Sequence, residues 1–467
     1  MLTSSLALLL LSNVVNGHEH HMNNIAEGEG ISSDPIDKIL WIHILIQIFG
    51  WGILFPTGMV LGIVRNRWHV PVQILGTCFA IVGYFLGHAH KGRQFAPTAH
   101  AKFAPWLNFL LATQVILGIY LKLHLEKGIL GKVRPILVRA HGIVGKVMPV
   151  ASWVQLLFGG IASLGFCRGD HLGQCLAHFI MGSAFIGYAI MLTILLLVGQ
   201  AWLRRTGKSQ EFFDSAVIAA WGCVNTFTEH RWGTDWVHND IQHTTMGVIW
   251  WCAGLLGMWL SRSTSGAPKR NFVPALVIFL TGYAMSSHPQ SLMISAKTHA
   301  IFGYTLMAAG LVRIIEISFI LKDKQGTPNG EPNSWQFLTP FLLTAGGFLF
   351  MGATEEQMVT LDAAGVDHVS YLLILYSVAF LMFLFANMLI YLYAVNAAPA
   401  SIKLDPESNG HINGNGHING NGHINGRANG HALGGAEEFE LDGLMTDEED
   451  ADDEDVGLLK EQNGQVK

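Results

Sequence analysis

The sequence WIHILIQIFGWGILFPTGMVLGIV, residues 41–64, decides the fold class of this protein. It runs for 24 residues without a charged side chain, and about 20 apolar residues are enough to cross the hydrocarbon core of a bilayer. Because no water at that depth can satisfy backbone N–H and C=O groups, such a stretch must form a helix. The stretch therefore predicts a membrane-spanning α-helix.

Similar apolar runs recur along the whole chain. Of its 467 residues, 50% are hydrophobic and only 13% are charged, a composition typical of membrane proteins. Candidate spans begin near Ile39, Val70, Phe103, His141, Leu176, Phe212, Ile241, Asn271, Leu292, Trp335 and Val369. We predict an all-α polytopic membrane helix bundle of about eleven spans, with a four-helix N-terminal core and a seven-helix C-terminal half.

The two ends of the chain differ from this membrane part. The first segment has an apolar stretch too short to span a bilayer, which is typical of a secretory signal. The tail combines an Asn-Gly-His repeat with 12 acidic residues in 437–455, and such a composition predicts disorder. The predicted divisions are a signal peptide 1–17, a lumenal segment 18–38, a four-helix domain 39–166, a C-terminal membrane domain 167–400 and an acidic cytosolic tail 401–467.

Basic residues predict the orientation, because Lys and Arg accumulate in cytoplasmic loops. With a lumenal N-terminus, the cytoplasmic connections hold 15 Lys and Arg and the lumenal segments hold 7. An odd number of spans then leaves the C-terminus in the cytosol. We expect an integral membrane protein of the secretory or endomembrane system: vacuole, endosome or plasma membrane. Cys167 and Cys175 fall in a lumenal loop, where we predict that they form a disulfide.

Four histidines in the first four predicted helices fall at two depths. His43 and His100 lie at lumenal helix ends, whereas His69 and His141 lie at cytoplasmic ends beside arginines. Ligand-capable residues inside membrane helices are costly and mark functional sites. Alternate helices of an antiparallel bundle can direct two imidazoles at one bound group. The pattern therefore predicts two non-covalent b-type haems, held by His43 with His100 and by His69 with His141.

Further motifs in this part resemble a known family. The pattern H-x7-W-G-x3-P-x-G (His43, Trp51, Gly52, Pro56, Gly58), a histidine after Trp68, a histidine that opens helix three and H-G-x-x-G from His141 are similar to the core of the cytochrome b561 family. This resemblance covers residues 39–164. The whole chain resembles the fungal Ytp-like membrane proteins.

The cytochrome resemblance implies transmembrane electron transfer, in which cytosolic ascorbate reduces a lumenal acceptor such as ferric iron. It makes the chain a candidate transmembrane oxidoreductase, although its catalytic residues are unknown. The basic side chains near the cytoplasmic pair would attract an anionic reductant, and they equally fit a role in setting topology. These residues are Arg65, Arg67, Lys132, Arg134 and Arg139. The expected partners are membrane lipids and a small-molecule reductant, with a homodimer left open and nucleic acid not expected.

The C-terminal half carries a second set of histidines and carboxylates. His178, His243 and His299 open predicted helices at the lumenal face, and Glu229 and Glu355 lie at the same depth. Histidine and carboxylate together suit a divalent metal. The alternative function is therefore a divalent-metal carrier or sensor, and a non-enzymatic endomembrane protein is a third. Arg313 and Glu316, three residues apart, predict a local ion pair.

Overall fold

The fold is built almost entirely from helices. The computed structural model describes residues 25–397 except 27–28, 124–128, 231–232, 288, 323 and 325–330. The predicted signal peptide, the histidine repeat with the acidic tail and His288 lie outside the described residues. The helices are α1 (Lys38–Ile63), α2 (His69–Ala89), α3 (Ala99–Lys122), α4 (Ile129–Leu164), α5 (Leu172–Leu197), α6 (Gln200–Thr206), α7 (Gln210–Thr228), α8 (His238–Leu260), α9 (Val273–Ser286), α10 (Met293–Ile315), α11 (Leu338–Met351), α12 (Glu355–Ala363) and α13 (His368–Ala397). The all-α prediction is confirmed.

The predicted number of spans is not confirmed. Helices lie at all eleven predicted places, but among the described residues seven are long and apolar enough to cross a membrane, or eight if α11 and α12, bent by 73°, form one span. Helix α9 has only 14 residues, about 21 Å at 1.5 Å per residue, which is shorter than the hydrocarbon core. Helix α7 carries Glu211 and Asp214, and α8 begins with a polar turn.

The first four helices pack as two antiparallel pairs, α1 with α2 and α3 with α4. Their shared core contains Trp51, Phe55, Ala80, Leu107, Leu111 and Met148. Helix α1 starts at the N-cap Asp37, whose carboxylate accepts backbone N–H groups of Lys91 and Leu40 at 3.0 and 2.9 Å. These hydrogen bonds lower the pKa of Asp37, and the one from Lys91 has the largest effect. They do so because they favour the charged form of the carboxylate. The cap therefore ties the α2–α3 connection to the start of α1.

The C-terminal helices surround a second core and contact the first four helices: α13 packs on α1, and α5 contacts α4. The second core includes Trp250, Phe302, Leu306 and Leu349. The Trp153 indole N–H on α4 donates to Ser183 Oγ on α5 at 3.0 Å. The described residues thus form two helical groups joined by specific contacts, with α1 to α4 before Cys167 and the other helices from Leu172 onward.

Candidate functional site: two facing histidine pairs

The predicted histidine pairs are both brought together. The imidazole centroids of His43 and His100, the 43/100 pair, lie 6.3 Å apart with an interplanar angle of 89°. The centroids of His69 and His141, the 69/141 pair, also lie 6.3 Å apart, at 87°. Each pair joins one helix of the α1–α2 unit to one of the α3–α4 unit.

This separation fits a single metal ion between two imidazoles. With metal–nitrogen bonds of about 2.0–2.1 Å, and each nitrogen about 1.1 Å from its ring centre, opposed ligands put the centroids about 6.2–6.4 Å apart. Both pairs fall in that range. The residues therefore fit the bis-histidine ligation that a b-type haem needs.

Hydrogen bonds from neighbouring helices orient the rings. The Nδ1–H of His43 donates to the Gly83 carbonyl at 2.6 Å, and that of His69 donates to the Gly58 carbonyl at 2.7 Å. His100 donates in the same way to the Gln155 carbonyl at 3.2 Å. A proton on Nδ1 leaves the lone pair on Nε2, which is the arrangement typical of metal-binding histidines.

His141 differs from the other three. Its backbone carbonyl accepts a hydrogen bond from Gln114 Nε2 at 3.0 Å, whereas its Nδ1 is buried and has no hydrogen-bond partner among the described residues. A buried imidazole nitrogen without a partner is costly. In the 69/141 pair, the orientation of the His141 ring is therefore not held by an Nδ1 hydrogen bond, unlike that of the other three rings.

A glycine of the neighbouring helix faces each ring. A Cβ at Gly62 would lie 2.7 Å from His69 Nδ1, and one at Gly87 would lie 2.7 Å from the His43 ring. A Cβ at Gly159 would meet His100 at 3.2 Å, and one at Gly118 would meet His141 at 3.4 Å.

The same spacing recurs in three helices. Each of α2, α3 and α4 carries the ring-facing glycine eighteen residues after its histidine: His69 and Gly87, His100 and Gly118, His141 and Gly159. Eighteen residues are five turns of about 3.6 residues, so both residues lie on one helix face. The pattern H-x17-G was therefore present in the sequence as a signal for these glycines.

Helix α1 also places its histidine and its ring-facing glycine on one face, although the two are one residue further apart than in the other helices. Gly62 follows His43 by nineteen residues, and a π-helical turn lies between them at Gly50–Leu54. A π turn takes in one extra residue, so His43 and Gly62 still share a face. All four helices therefore use one arrangement, and the pairs sit at opposite ends of the bundle.

Aromatic side chains occupy the core between the two pairs. Trp51 in the π turn is 5% exposed and its ring lies 4.6 Å from that of Phe55. Trp51 is eight residues from His43, about 12 Å along the helix. Its burial makes Trp51 part of the core between the pairs.

The charged residues near the pairs are partly structural. Arg93 donates to the backbone carbonyls of Asp34 and Ser163 at 3.1 and 3.0 Å, which closes the end of the bundle near the 43/100 pair. Near the 69/141 pair, the Arg67 guanidinium lies 5.9 Å from the Trp68 ring centroid, and Arg134 donates to the Leu121 carbonyl at 3.4 Å.

The histidines and carboxylates predicted as a metal site in the C-terminal half form separate contacts. The rings of His178 and His299 lie 6.1 Å apart, His243 contacts Glu229 at 3.3 Å, and Glu355 contacts His171 at 3.5 Å. Within the described ranges, no three of the predicted ligands place ligand atoms within 4.8 Å of one another. The structure thus brings together His178 with His299 and His243 with Glu229, but not all five residues.

A buried ion-pair network lies in the C-terminal half. The predicted Arg313–Glu316 pair is confirmed at 2.7 Å, and Glu211 accepts from both Arg270 and Arg313, at 2.7 and 2.8 Å. Nearby, the Tyr188 hydroxyl donates to Asp214. Tyr188, Asp214 and Arg313 border a cavity of ≈ 200 Å³. Sequence reasoning found one pair of this network and missed the rest, because the other members are distant along the chain.

The predicted Cys167–Cys175 disulfide is confirmed. The Cys167 N–H also donates to the Glu356 carboxylate at 2.7 Å. Since both thiols are used in the disulfide, the proximity of Glu356 does not form a metal site here. The loop joins the two helical groups, and the contact instead attaches this loop to α12.

Comparisons with known proteins match two parts of the chain to family models. The family model "Protein YTP1-like, C-terminal" matches residues 151–394, and a model of a domain of unknown function, DUF2427, matches residues 23–124. Protein YTP1 of Saccharomyces cerevisiae is 46% identical over 270 residues, which cover 56% of this chain and 57% of that protein. The chain thus spans just over half the length of that relative.

More distant relatives include uncharacterised membrane proteins. One of Schizosaccharomyces pombe is 23% identical, covering 69% of this chain and 88% of the relative, and one of Saccharomyces cerevisiae is 25% identical over 43% and 40%. No solved structure matches the chain. Because the first family model covers more than half of the 467 residues, the chain belongs to the YTP1-like family of fungal membrane proteins.

Proposed function

We propose that the first four helices hold two b-type haems and carry electrons across the membrane. The 43/100 pair would ligate one haem and the 69/141 pair the other. The observation that carries the proposal is the matched geometry of the pairs: two imidazole couples, each with centroids 6.3 Å apart, at opposite ends of one bundle. The cytochrome b561 resemblance of residues 39–164 supports the same function.

The protein's own residues would supply binding and orientation. The carbonyls of Gly58, Gly83 and Gln155 hold the Nδ1–H groups, which directs Nε2 toward the bound group and raises its basicity as a ligand. The glycines opposite the rings let the helices approach without displacing them. The chemistry that a bound haem supplies is one-electron transfer.

The distance between the pairs suits a path across the bilayer. Gly83, which holds His43, lies fourteen residues after His69 on α2, about 21 Å along the helix. Trp51 and Phe55 fill the core between the pairs. The low polarity of this core would keep water away from the region between the two sites.

The surroundings of the 69/141 pair suggest the side on which electrons enter. Arg65, Arg67, Lys132, Arg134 and Arg139 give that end a positive charge, which would attract an anionic reductant such as ascorbate. We place this end in the cytosol, on the excess of basic residues there. The lumenal acceptor would then meet the 43/100 pair, and ferric iron is the proposed acceptor.

The experiment is a reduced-minus-oxidised absorbance spectrum of the purified full chain, with haem counted per chain by pyridine haemochrome. We expect b-type bands and two haems. His100→Ala should remove one haem and His141→Ala the other, because the pairs share no ligand. The double variant should have none.

His88→Ala is the matched control, because His88 lies on the same helix as His69 and bonds the Tyr84 carbonyl of its own helix at 2.9 Å. It should keep both haems. The proposal fails if the wild-type chain, expressed with ample haem, shows no b-type bands. Equal loss of both haems in His100→Ala, with the chain still folded, would show that the pairing is wrong.

A further inference from the structure

A cavity lies in the C-terminal half, outside the proposed haem sites. Its volume is ≈ 200 Å³, and residues of helices α5 and α7 to α11 line it. An apolar protein cavity of about 150 Å³ can hold one benzene molecule. The cavity in this chain therefore has room for one aromatic ring, or an alkyl chain of similar size, that carries a short polar group.

Apolar side chains form most of the cavity wall. Phe185 and Trp221 line it from α5 and α7, and Trp250 and Leu343 line it from α8 and α11. The Trp250 indole N–H is already used, because it donates to the Thr281 hydroxyl at 2.8 Å. This part of the wall suits the apolar body of a ligand.

The polar part of the wall belongs to the buried ion-pair network. Asp214, Arg313 and Glu316 line the cavity. Asp214 lies three residues after Glu211, on a neighbouring position of α7, and Arg313 contacts both Glu211 and Glu316. A ligand in the cavity would therefore meet charged as well as apolar side chains.

The guanidinium of Arg313 is already occupied. One terminal nitrogen contacts Glu211 at 2.8 Å, and the other contacts Glu316 at 2.7 Å. An anionic ligand would have to displace one of these carboxylates to reach Arg313, and a buried charge left without its partner is costly. The arrangement of charges therefore disfavours an anion in the cavity.

Hydrogen-bond acceptors, in contrast, are in excess. Among the described residues, Glu316 Oε2 and Thr339 Oγ1 have no hydrogen-bond partner, although these residues are only 2% and 8% exposed. Both residues line the cavity. Asp214 accepts from the Tyr188 hydroxyl, and a carboxylate has about four lone-pair sites. A ligand that donates hydrogen bonds would therefore satisfy groups that the protein leaves unpaired.

The network also carries one more negative charge than positive charges. It contains three carboxylates and two guanidiniums, those of Glu211, Asp214, Glu316, Arg270 and Arg313. Both arginines contact Glu211, whereas the group bonded to Asp214 is the neutral Tyr188 hydroxyl. A cation beside Asp214 would offset the excess charge, and this attraction is strong in a buried site of low dielectric.

We propose that this cavity binds a small organic amine, with its ammonium group beside Asp214 and its apolar body against the aromatic wall. An ammonium group supplies both the positive charge and the hydrogen-bond donors that the site lacks. The faces of Trp221 and Trp250 also suit a cation, because aromatic faces attract positive charge. The site shares no residue with the proposed haem pairs and gives the C-terminal half a binding function of its own.

The test compares amines with alcohols of the same apolar body. Phenethylamine and hexylamine, with phenethyl alcohol and hexanol as their neutral counterparts, are titrated into the purified full chain in detergent at neutral pH, by isothermal calorimetry. We expect at least one amine to bind in a one-to-one ratio, about tenfold more tightly than its alcohol, because only the amine forms a charge-assisted hydrogen bond with Asp214.

Asp214→Asn tests the place of the ammonium group. The amide keeps the size of the side chain and can still accept from Tyr188, so the cavity should remain. We expect the affinity for the amine to fall about tenfold and the affinity for the alcohol to stay unchanged. Asp362→Asn is the matched control, because Asp362 is an exposed carboxylate on α12, outside the cavity. It should change neither affinity.

Three results would overturn the amine site. Neither amine binds the wild-type chain, an amine and its alcohol bind equally, or folded Asp214→Asn binds the amine as tightly as wild type does. The haem spectrum of Asp214→Asn should equal that of wild type. Amine binding by a chain without haem would therefore support this site even if the proposed electron transfer fails.

Discussion

At three of the four histidines in the first four helices, a Cβ added to the facing glycine would come within 3.2 Å of the imidazole ring. Gly87 is the clearest case, because its Cβ would lie 2.7 Å from the His43 ring. The histidines were predictable, since ligand-capable side chains within apolar runs are rare and costly. The glycines were harder to identify, because membrane helices use glycine for ordinary packing as well.

Gly87→Ala should disturb the 43/100 pair. The added methyl must displace His43, and such overpacking costs about 1–3 kcal/mol. We expect a lower melting temperature of the purified protein and selective loss of the haem at that pair. Gly142→Ala is the control, because a Cβ there meets nothing within 4 Å. Equal melting temperatures for the two variants would contradict the proposed role of Gly87.

At the scale of the element, the π turn of α1 keeps His43 and Gly62 on the same helix face. Without it, the nineteen-residue spacing from His43 would rotate Gly58 and Gly62 by about 100° away from His69. The apolar pattern of residues 41–64 predicted a helix but did not reveal the turn, because one extra residue in a uniformly apolar stretch changes no periodicity. The turn packs against both α2 and α4.

Deletion of Ile53 removes one residue from the π turn. If α1 then becomes regular between His43 and Gly62, their spacing falls to eighteen residues and the 69/141 pair should keep its haem. Substitution Ile53→Ala keeps the π turn and should also keep both haems, since Ile53 is 39% exposed. Inserting one alanine after Ile53 instead should rotate Gly58 and Gly62 away from His69 and remove only the 69/141 haem. The haem count of the three variants checks these expectations. An insertion variant that keeps two haems would contradict the role of the π turn in aligning Gly58 and Gly62 with His69.

At the scale of the whole molecule, buried charges connect helices that are far apart in sequence. Glu211 at the start of α7 is 1% exposed and holds Arg270 before α9 and Arg313 in α10. Sequence spacing revealed only the Arg313–Glu316 pair, because side chains three residues apart on one helix are neighbours. The other contacts require the complete arrangement of the helices.

Glu211→Ala should destabilise the protein strongly. Removing one member of a buried ion pair leaves its partner's charge uncompensated, which costs about 3–5 kcal/mol. We expect a reduced folded yield and a lower melting temperature, measured by fluorescence-detected gel filtration after heating. The control Glu331→Ala removes an exposed carboxylate and should leave both quantities unchanged. Equal stability of the two variants would show that the network is dispensable.

The sequence by itself determined the helical membrane fold, the places of the helices, the disulfide and the four histidines that form two pairs. These follow from local properties: apolar length, the cost of polar groups in the bilayer, and the alternation of sides that a chain must follow as it crosses. It did not determine how many helices are long and apolar enough to span the membrane, the π turn, the glycines that face the rings, the Glu211 network or the separation of the second set into His178–His299 and other contacts. Those depend on which helix faces pack together, and only the tertiary structure decides that.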